Sequence, residues 1–453
     1  MIKIKNIVVA SIIASSVSGC GLYTKFDHTA DTEIVDHLYD YVDPSAQEES
    51  LASLSWSELF TDTYLQALIE EGLERCTDLN VAKLNIEQAQ IALRTARLAY
   101  LPSLGFNASA STTTASSGSS YSLSVNASWE IDIFGKIKNA KEQQKAVLEQ
   151  SQAYSQAVQT ALIANIANCY YSLLLLDSQI EISNHSLEAW EANVRTYEAL
   201  NRAGKVNVTS VLQAKSNREA LKTSIITLEQ QLAELENTLS VLLSSTPRHI
   251  ERGSLSDSSF DCNIAIGVPL EMVGNRPDVR VAELTLAQAY YATNIARASL
   301  YPSLTLGGSA AYSDSFGSLS NPGDVIYSAV ASIVQPIFYQ GTLRAQVQIA
   351  KSQQEQALLE FNQAILDAGA EVNTALINWQ SALKRREHYT QQIDLLSEAL
   401  RSSELLMKHG SVNYLEVLTA QQSLLSAELN LSANKYDEIQ SVIDLYRALG
   451  GGQ

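Results

Sequence analysis

One cysteine near the start of the chain lies in a context that supports a defined covalent reaction. Cys20 follows Val17-Ser18-Gly19, an aliphatic residue and two small ones, which is the spacing of a bacterial lipobox. In such a motif the chain is cut between Gly19 and Cys20, and the cysteine thiol takes a diacylglyceryl group. The sequence therefore predicts a lipid anchor at Cys20, which attaches a protein to a membrane without spanning it.

The residues before this cysteine have the organisation of a secretory signal peptide. Lys3 and Lys5 form a short basic region, and residues 7–17 form an apolar stretch of signal-peptide length. Residues 1–19 are predicted to be a removed signal peptide, and residues 20–60 a lipidated N-terminal segment. The alternative is an ordinary signal peptide followed by a chance cysteine.

The other residues that could bind metals or catalyse reactions form no recognisable site. Cys76, Cys169 and Cys262 have spacings that fit no zinc motif, and we interpret the first two as buried thiols that pack as small apolar side chains. The six histidines show no i, i+4 pairing, and no glycine-rich phosphate loop is present. We therefore predict no metal, no cofactor and no enzymatic activity.

Composition excludes further classes of protein. The chain has 453 residues, with 31 Lys and Arg against 49 Asp and Glu, so its formal net charge is −18. This balance argues against nucleic-acid binding, which requires a basic surface. Only 20 Gly and 8 Pro occur, which favours long regular elements over loops. After the first twenty residues, no stretch holds the ~20 consecutive apolar residues of a transmembrane helix.

The sequence contains an internal duplication. Residues 77–104 align with residues 277–304 at an offset of 200, and both segments end in Pro-Ser-Leu. Residues 204–214 align with residues 410–420 at an offset of 206, and share Gly, Val and Asn in the same order. Two markers about a hundred residues apart keep nearly the same offset. We therefore expect repeats at 61–243 and 276–449, a linker at 244–275 and a C-terminal tail at 450–453.

Each repeat carries one predicted β-hairpin, at residues 103–133 and 303–338. Apolar and polar residues alternate from Tyr121 to Ile133, which is typical of a strand with one apolar face. The last strand, Val325 to Val334, is the least regular, because Ile326 and Val330 fall on its nominally polar face.

Long helices account for the remainder of each repeat. Residues 136–202 contain neither proline nor glycine, and Gly369 is the only glycine between Leu343 and His409. Leucines and one isoleucine from Leu221 to Leu242 follow a 4-3-4-3 spacing, which predicts a coiled-coil seam. The chain is expected to reverse at Gly204 and at Gly410, where antiparallel helix pairs join.

The strands and helices together restrict the possible architectures. Four strands of about ten residues have the length and alternation of an outer-membrane barrel, but they are too few to close one. An open sheet edge is not tolerated in hydrocarbon, so several chains must pool their hairpins. Trp129, Phe134, Phe338 and Tyr339 lie at the strand-to-helix ends, where an aromatic girdle would be placed.

These features resemble the outer-membrane efflux protein family, the TolC-like outer-membrane factors, and in particular its lipoprotein branch. The resemblance covers essentially the whole mature chain. It rests on the lipobox and on motifs in the expected order: Pro102-Ser103-Leu104, Pro302-Ser303-Leu304, Gly267-Val268-Pro269-Leu270, Asn275-Arg276-Pro277-Asp278-Val279, Gln335-Pro336-Ile337-Phe338 and Leu445-Tyr446-Arg447-Ala448-Leu449-Gly450-Gly451-Gly452.

The resemblance implies an α+β fold with long helical hairpins that form a periplasmic α-barrel. Three chains would share a 12-stranded outer-membrane barrel and act as the exit duct of a tripartite pump for small molecules. The implied partners are a periplasmic adaptor and an inner-membrane transporter of the resistance-nodulation-division class. The implied location is the outer membrane, in contact with its lipid.

The resemblance also assigns residues at the end of the helix pairs farthest from the hairpins. The motif around the second turn spans Gly410 to Ala420. Glu416 occupies the position of an acid that lines a constriction in the family, and Leu415 beside it is the expected apolar plug. Thr419 stands where many members have a second acid. The first-repeat equivalent of Glu416 is Ser210. The residues expected to contact the adaptor are Gly204, Val206, Asn207, Gly410, Val412 and Asn413.

Other functions explain less of the sequence. A coiled-coil scaffold would account for the seam but not for the hairpins, the lipobox or the duplication. The outer-membrane duct of a type I protein secretion system would have a similar channel, and the lipid anchor favours efflux over it. Met1, Met272 and Met407 are the only methionines, too few for a thioether relay for Cu(I) or Ag(I), so small organic molecules are the expected cargo.

Overall fold

The computed structural model describes residues 55–113, 118–257, 276–315, 325–408 and 414–451. The elements of the first repeat are helices α1 (Trp56–Leu59), α2 (Thr63–Arg75) and α3 (Thr77–Leu98), strands β1 (Ser103–Thr113) and β2 (Gly118–Ile131), and helices α4 (Lys136–Arg202) and α5 (Val208–Leu242). After a 3-10 turn at Leu255–Asp257 come α6 (Pro277–Ala298), β3 (Ser303–Ser315), β4 (Val325–Val334), α7 (Thr342–Lys408) and α8 (Tyr414–Ala448). The predicted signal peptide, Cys20 and Cys262 lie outside the described residues.

The described chain divides into two compact units. The strand unit contains residues 83–154 and 278–364, and therefore holds all four strands with the helix segments that flank them. The core unit contains residues 55–82, 155–277 and 365–451 within the described part.

The duplication is visible in the lengths and positions of the helices. α4 and α7 both have 67 residues, and α5 and α8 both have 35. Each second-repeat helix of these pairs begins 206 positions after its counterpart, whereas α6 begins 200 positions after α3. The predicted tandem duplication and the predicted long helices are confirmed.

All four strands form one antiparallel sheet in the order β1-β2-β3-β4. Phe106 lies opposite Val125, which in turn lies opposite Ala310, and Ala310 lies opposite Tyr327. This register places the large apolar residues of β1, β2 and β3 on one face and mostly Ser, Asn, Thr and Gly on the other. As the sequence indicated, Ile326 and Val330 of β4 fall on the polar face, opposite Ala311 and Gly307.

The strands end earlier than the alternation predicts. β2 stops at Ile131 because Asp132 turns back to accept hydrogen bonds from the backbone N–H groups of Ile137 (3.1 Å) and Lys138 (2.8 Å) at the start of α4. β4 stops at Val334, short of residue 338, close to Pro336, which has no N–H to donate to a ladder.

The largest apolar cluster lies in the core unit. Tyr170, Leu173 and Leu239 are fully buried in it, and every residue of the predicted seam from Leu221 to Leu242 is buried or half-buried. Cys76 is buried and Cys169 half-buried, and both are free thiols. Burial raises the pKa of the Cys169 thiol. The position of Cys76 agrees with the interpretation of a buried thiol that packs as a small apolar side chain, and Cys169 is only partly buried.

The expected linker and the segment before residue 61 also contribute to this core. Ile250 and Leu255 of the linker are buried, as are Leu59 and Phe60. Among the described helices, α4 includes a window long and apolar enough to cross a membrane, but more than half of that window is buried within the protein. Such burial is typical of a core helix.

Candidate functional site

The apolar face of the sheet is exposed to its surroundings. Leu104 is 76% exposed, Phe106 67% and Tyr327 79%, and Val125 near the middle of β2 is about half exposed. An apolar surface of this extent is unfavourable in water and marks contact with another protein or with lipid. Its strands have 11, 14, 13 and 10 residues, long enough for tilted strands to cross a bilayer.

The sheet is open at both edges within the described strands, since β1 pairs only with β2 and β4 only with β3. A single chain therefore presents two rows of backbone N–H and C=O groups without strand partners. In hydrocarbon each such group costs several kcal/mol, so the sheet requires further strands to enter a membrane.

Aromatic side chains gather where the strands meet the helices. The Trp129 indole N–H donates to the Tyr100 carbonyl at 2.9 Å, and Phe134 stacks on Tyr301 with ring centroids 4.9 Å apart. Phe338 and Tyr339 are exposed at the same end of the sheet. The arrangement matches the aromatic band that borders the apolar zone of membrane barrels.

The first reversal between long helices is closed by local hydrogen bonds. Gly204 has a φ of 69°, and the N–H groups of Lys205 and Gly204 donate to the carbonyls of Leu200 and Asn201, both at 2.9 Å. This is a Schellman termination of α4, which favours glycine at that position. Asn207 then caps α5 by accepting from the Thr209 N–H at 3.1 Å. Of the expected adaptor residues here, Gly204 and Asn207 are exposed and Val206 is half-buried.

The second reversal lies mostly outside the described residues, including Gly410, Val412 and Asn413. At the start of α8, Glu416 and Thr419 are exposed and Leu415 is 52% exposed, whereas Val417 and Leu418 are buried. The side chains of Glu416 and Leu415 therefore lie on the exposed side of α8, opposite its buried residues. Ser210, the first-repeat equivalent of Glu416, is fully buried.

A small cluster supports the beginning of α8. The Tyr414 ring meets the buried ring of Tyr197 edge-on, with centroids 6.2 Å apart, and Asn193 Nδ2 donates to Gln421 Oε1 at 2.5 Å. Burial raises the pKa of Tyr197 to about 12, and the charge of Glu404 acts in the same direction. Tyr197 is therefore a neutral phenol at physiological pH, and its ring packs as an apolar group.

A buried arginine, which no sequence pattern predicted, holds the end of α8. Arg276 Nη1 donates to the Ala448 carbonyl at 2.8 Å, and Nη2 donates to Glu371 at 2.7 Å. Gly450 has a φ of 77° and, with Gly451, terminates α8 as a Schellman motif. Both glycines are buried, so this part of the expected tail is packed. The motifs containing Arg276 and these glycines were visible in the sequence, but their contact was not.

A second buried arginine, Arg252, attaches the segment predicted as the linker (residues 244–275) to helices α4 and α5. Arg252 Nη1 donates to Glu236 at 2.6 Å, and its Nε and Nη2 donate to the two oxygens of Asp177 at 2.5 and 3.1 Å. Burial opposes ionisation of Glu236, but hydrogen bonds from Arg252 and from the Ile250 backbone, with the neighbouring charges, leave its pKa below the usual range. The described residues include no cluster of His, Cys, Asp and Glu that could hold a metal ion.

An exposed apolar sheet with open edges, joined to paired helices of 67 and 35 residues, defines a membrane channel subunit. The family model "Outer membrane efflux protein" matches residues 68–245 and 268–451. The chain belongs to this family, as the resemblance implied.

Individual relatives agree with this assignment. The chain is 29% identical to the cation efflux system protein CusC of Escherichia coli K12, over 89% of this chain and 90% of that protein. It is 28% identical to the pyoverdine export outer membrane protein OpmQ of Pseudomonas putida, over 90% of each chain.

Solved structures have the same fold. Crystal structures of CusC superpose with a TM-score of 0.83 at 28% identity, covering 91% of this chain and 99% of that one. The open-state structure of the MtrE outer membrane channel of Neisseria gonorrhoeae gives 0.83 at 27% identity, covering 95% and 98%. The predicted fold class and outer-membrane location are confirmed, and the protein is an efflux channel.

Proposed function

We propose that this channel is a homotrimeric exit duct of a tripartite pump, with four strands from each chain in one 12-stranded barrel. The observation that supports this most is the single four-stranded sheet with an exposed apolar face and two open edges. Three copies pair every edge, and barrels of this size and larger enclose an aqueous lumen rather than a packed core.

The quaternary proposal is tested on detergent-extracted protein. Native mass spectrometry should give three chains per particle, and planar bilayers should show conductance from that trimer. A monomer that conducts by itself would contradict the proposal, because its sheet edges would then be unpaired in hydrocarbon.

We propose that a periplasmic adaptor and an inner-membrane transporter of the resistance-nodulation-division class complete the pump. The adaptor contacts the helix-pair turns, at Gly204, Val206 and Asn207 in the first repeat and at Gly410, Val412 and Asn413 in the second. The tight, capped turn at Gly204 supports this role, because it presents a rigid exposed corner. The chain itself is a passive duct without a catalytic centre or cofactor.

We propose that Glu416 lines the periplasmic constriction, with Leu415 as its apolar neighbour and Thr419 one turn away. Three copies of an exposed carboxylate around a threefold axis make a ring that favours cations. Glu416→Gln should lower the cation preference of reconstituted channels and weaken their block by divalent cations. Glu360→Gln, the same carboxylate-to-amide change at an exposed position of α7 far along the helix from the second turn, is the matched control. Unchanged selectivity and block in Glu416→Gln would remove Glu416 from the constriction.

We propose that Cys20 is the mature N-terminus and carries the lipid. Mass spectrometry of the mature protein should show residues 1–19 removed and acyl chains on Cys20. Cys20→Ala should impair sorting to the outer membrane more than it impairs pore conductance, because the barrel alone already holds the protein in a bilayer. A free Cys20 thiol, or an uncleaved N-terminus, would contradict the anchor.

We propose that the cargo is small organic molecules. The relatives differ in named cargo, cations for CusC and pyoverdine for OpmQ, at almost equal identity, so similarity does not select between them. Deletion of the gene should sensitise cells to organic antibiotics and dyes. Sensitisation to copper or silver salts alone would favour metal export, and loss of a secreted protein would favour the type I secretion alternative.

A further inference from the structure

The polar face of the sheet carries three apolar side chains on β4 that the equivalent strand of the first repeat lacks. These side chains, which are 55% to 65% exposed, belong to Ile326, Val330 and Val334. The positions 206 earlier, on β2, are all serine: Ser120, Ser124 and Ser128. The two strands have the same place in their hairpins, so a strand in this place does not require apolar residues there. We call the three apolar residues the β4 row.

The neighbouring strand differs between the repeats in the same direction. Val330 lies opposite Gly307, and Ile326 lies opposite Ala311. The equivalent positions of β1, 200 residues earlier, are Asn107 and Ser111. A Cβ added at Gly307 would meet only two backbone carbonyl oxygens, at 3.8 and 3.9 Å, so close backbone packing does not explain the glycine. The second hairpin therefore lacks polar side chains beside two of the three residues of the β4 row.

Serines separate the members of the β4 row. Ser328 and Ser332 lie between them on the same face, and Ser328 shares a hydrogen bond with Ser309 of β3, with the two oxygens 2.7 Å apart. Residues four positions apart along a strand are separated by about 13 Å. The β4 row is therefore a series of three small apolar sites in a wall of hydroxyl groups.

The rest of this face carries little charge. Among the described strand residues whose side chains lie on it, Glu130 alone is charged, and it pairs with Lys136 at 3.1 Å. This pair and Val334 line one cavity of about 260 Å³ at the end of the sheet where the helices begin. The whole chain has a net charge of −18, which attracts cations and repels anions. Such a wall favours molecules that combine an apolar part with a positive charge.

Resting on the proposed trimeric duct, in which this face lines the lumen, we infer that the β4 row is a set of contact sites for transported amphipathic organic cations. The apolar part of such a molecule covers one site at a time, and its charged group stays in the water of the lumen. Each contact buries only one side of the molecule, so binding is weak and brief. Weak binding at several sites suits conduction, because a molecule that is held tightly does not leave.

Block of single channels by alkyltrimethylammonium ions tests the inference, because their charge is constant while their apolar length varies. Tetramethylammonium, butyltrimethylammonium and hexyltrimethylammonium are added to wild-type trimers in planar bilayers, and the residence time is taken from the current fluctuations. A valine side chain covers about two or three methylenes on one side, and half of the full burial of each methylene lengthens the residence time about twofold. Hexyltrimethylammonium should therefore stay about four- to eightfold longer than tetramethylammonium.

The matched variants give the second hairpin the residues of the first. The triple variant Ile326→Ser, Val330→Ser and Val334→Ser should keep the wild-type conductance in potassium chloride and lose the dependence of residence time on chain length. Gly307→Asn, which places an amide beside Val330, should weaken this dependence while the β4 row stays intact. Ser122→Asn adds an amide to the same face two strands away and should leave the dependence unchanged.

A second series of blockers tests the sign of the charge. Alkyl sulfonates with the same chain lengths present the same apolar surface with a negative charge, so they should block the wild-type channel for shorter times. Equal residence times for the two series would overturn the assignment of the β4 row to cations.

The outcomes separate these contact sites from the proposed duct. Trimers that conduct, but whose residence times depend on chain length equally in wild type and in the triple variant, would overturn the inference while the duct stands. A dependence that appears only after residues 316–324 are shortened would mean that the chain itself covers the β4 row, and would also overturn the inference. A monomeric particle would instead refute the proposed duct.

Discussion

Placing a charge on the apolar face of the sheet tests whether that face contacts lipid. Val125 lies near the middle of β2, opposite Phe106 and Ala310, and about half of its side chain is exposed. An arginine on the lipid face of a membrane strand costs about 2–4 kcal/mol at the bilayer midplane. In the proposed trimer the total cost of Val125→Arg is about 6–12 kcal/mol per barrel, since each copy contributes the same penalty. We expect poor insertion and loss of heat-stable trimers.

The next residue along the strand is the matched control. Asn126 points to the polar face, opposite Gly105 and Ser309, so Asn126→Arg places the same charge on the face that lines the lumen of the proposed barrel. Outer-membrane fractions and the temperature at which trimers dissociate in detergent are measured for both variants. Val125→Arg should lose most inserted protein, and Asn126→Arg should keep it. Equal tolerance of the two changes, or greater harm from Asn126→Arg, would refute the assignment of faces.

Two further predictions concern the core unit. Glu236→Gln should cost about 2–4 kcal/mol at pH 7, because it leaves buried Arg252 short of a charged acceptor. Folding lowers the pKa of Glu236, so its carboxylate stabilises the folded state at pH values above the unfolded pKa, near 4.5. This stabilisation is lost as the pH falls through the folded pKa. The melting temperatures of wild type and Glu236→Gln should therefore converge in acid. Gly451→Ala should cost about 1–3 kcal/mol, because the new Cβ would clash with the Tyr446 ring, whereas Gly105→Ala meets nothing within 4 Å and should melt as wild type.

Periodicity predicted the regular elements well. The absence of proline and glycine located α4 and α7 to within about one residue, and the alternation assigned each strand residue to its face. The strand ends were less predictable, because they depend on groups outside the strand. At Ile131 the alternation continues to Ile133, but Asp132 is recruited as a helix cap and ends the ladder.

The hydrogen bonds of the two buried arginines, Arg276 and Arg252, could not be predicted, because they join residues far apart in sequence. Arg276 and Ala448 are separated by 172 positions, and Arg252 and Asp177 by 75. A buried arginine can be predicted from the sequence only when the residues that accept its hydrogen bonds are nearby in the chain. The proposed gate is a different case. Motif position alone singled out Glu416, and the structure adds only that its side chain is exposed.

The two offsets, 200 and 206, indicate where the repeats have been free to diverge. β1 and β3 keep the offset of 200, whereas their hairpin partners β2 and β4 already have the offset of 206. The six additional residues of the second repeat therefore lie between Ser313 and Val325, and two of them extend β3 beyond the length of β1. Beyond this segment, the helices keep 67 and 35 residues in both repeats. A longer helix in one repeat would shift its side chains out of register with the helices it packs against, whereas residues added in the connection between two strands leave both the strand ladder and the helices in register.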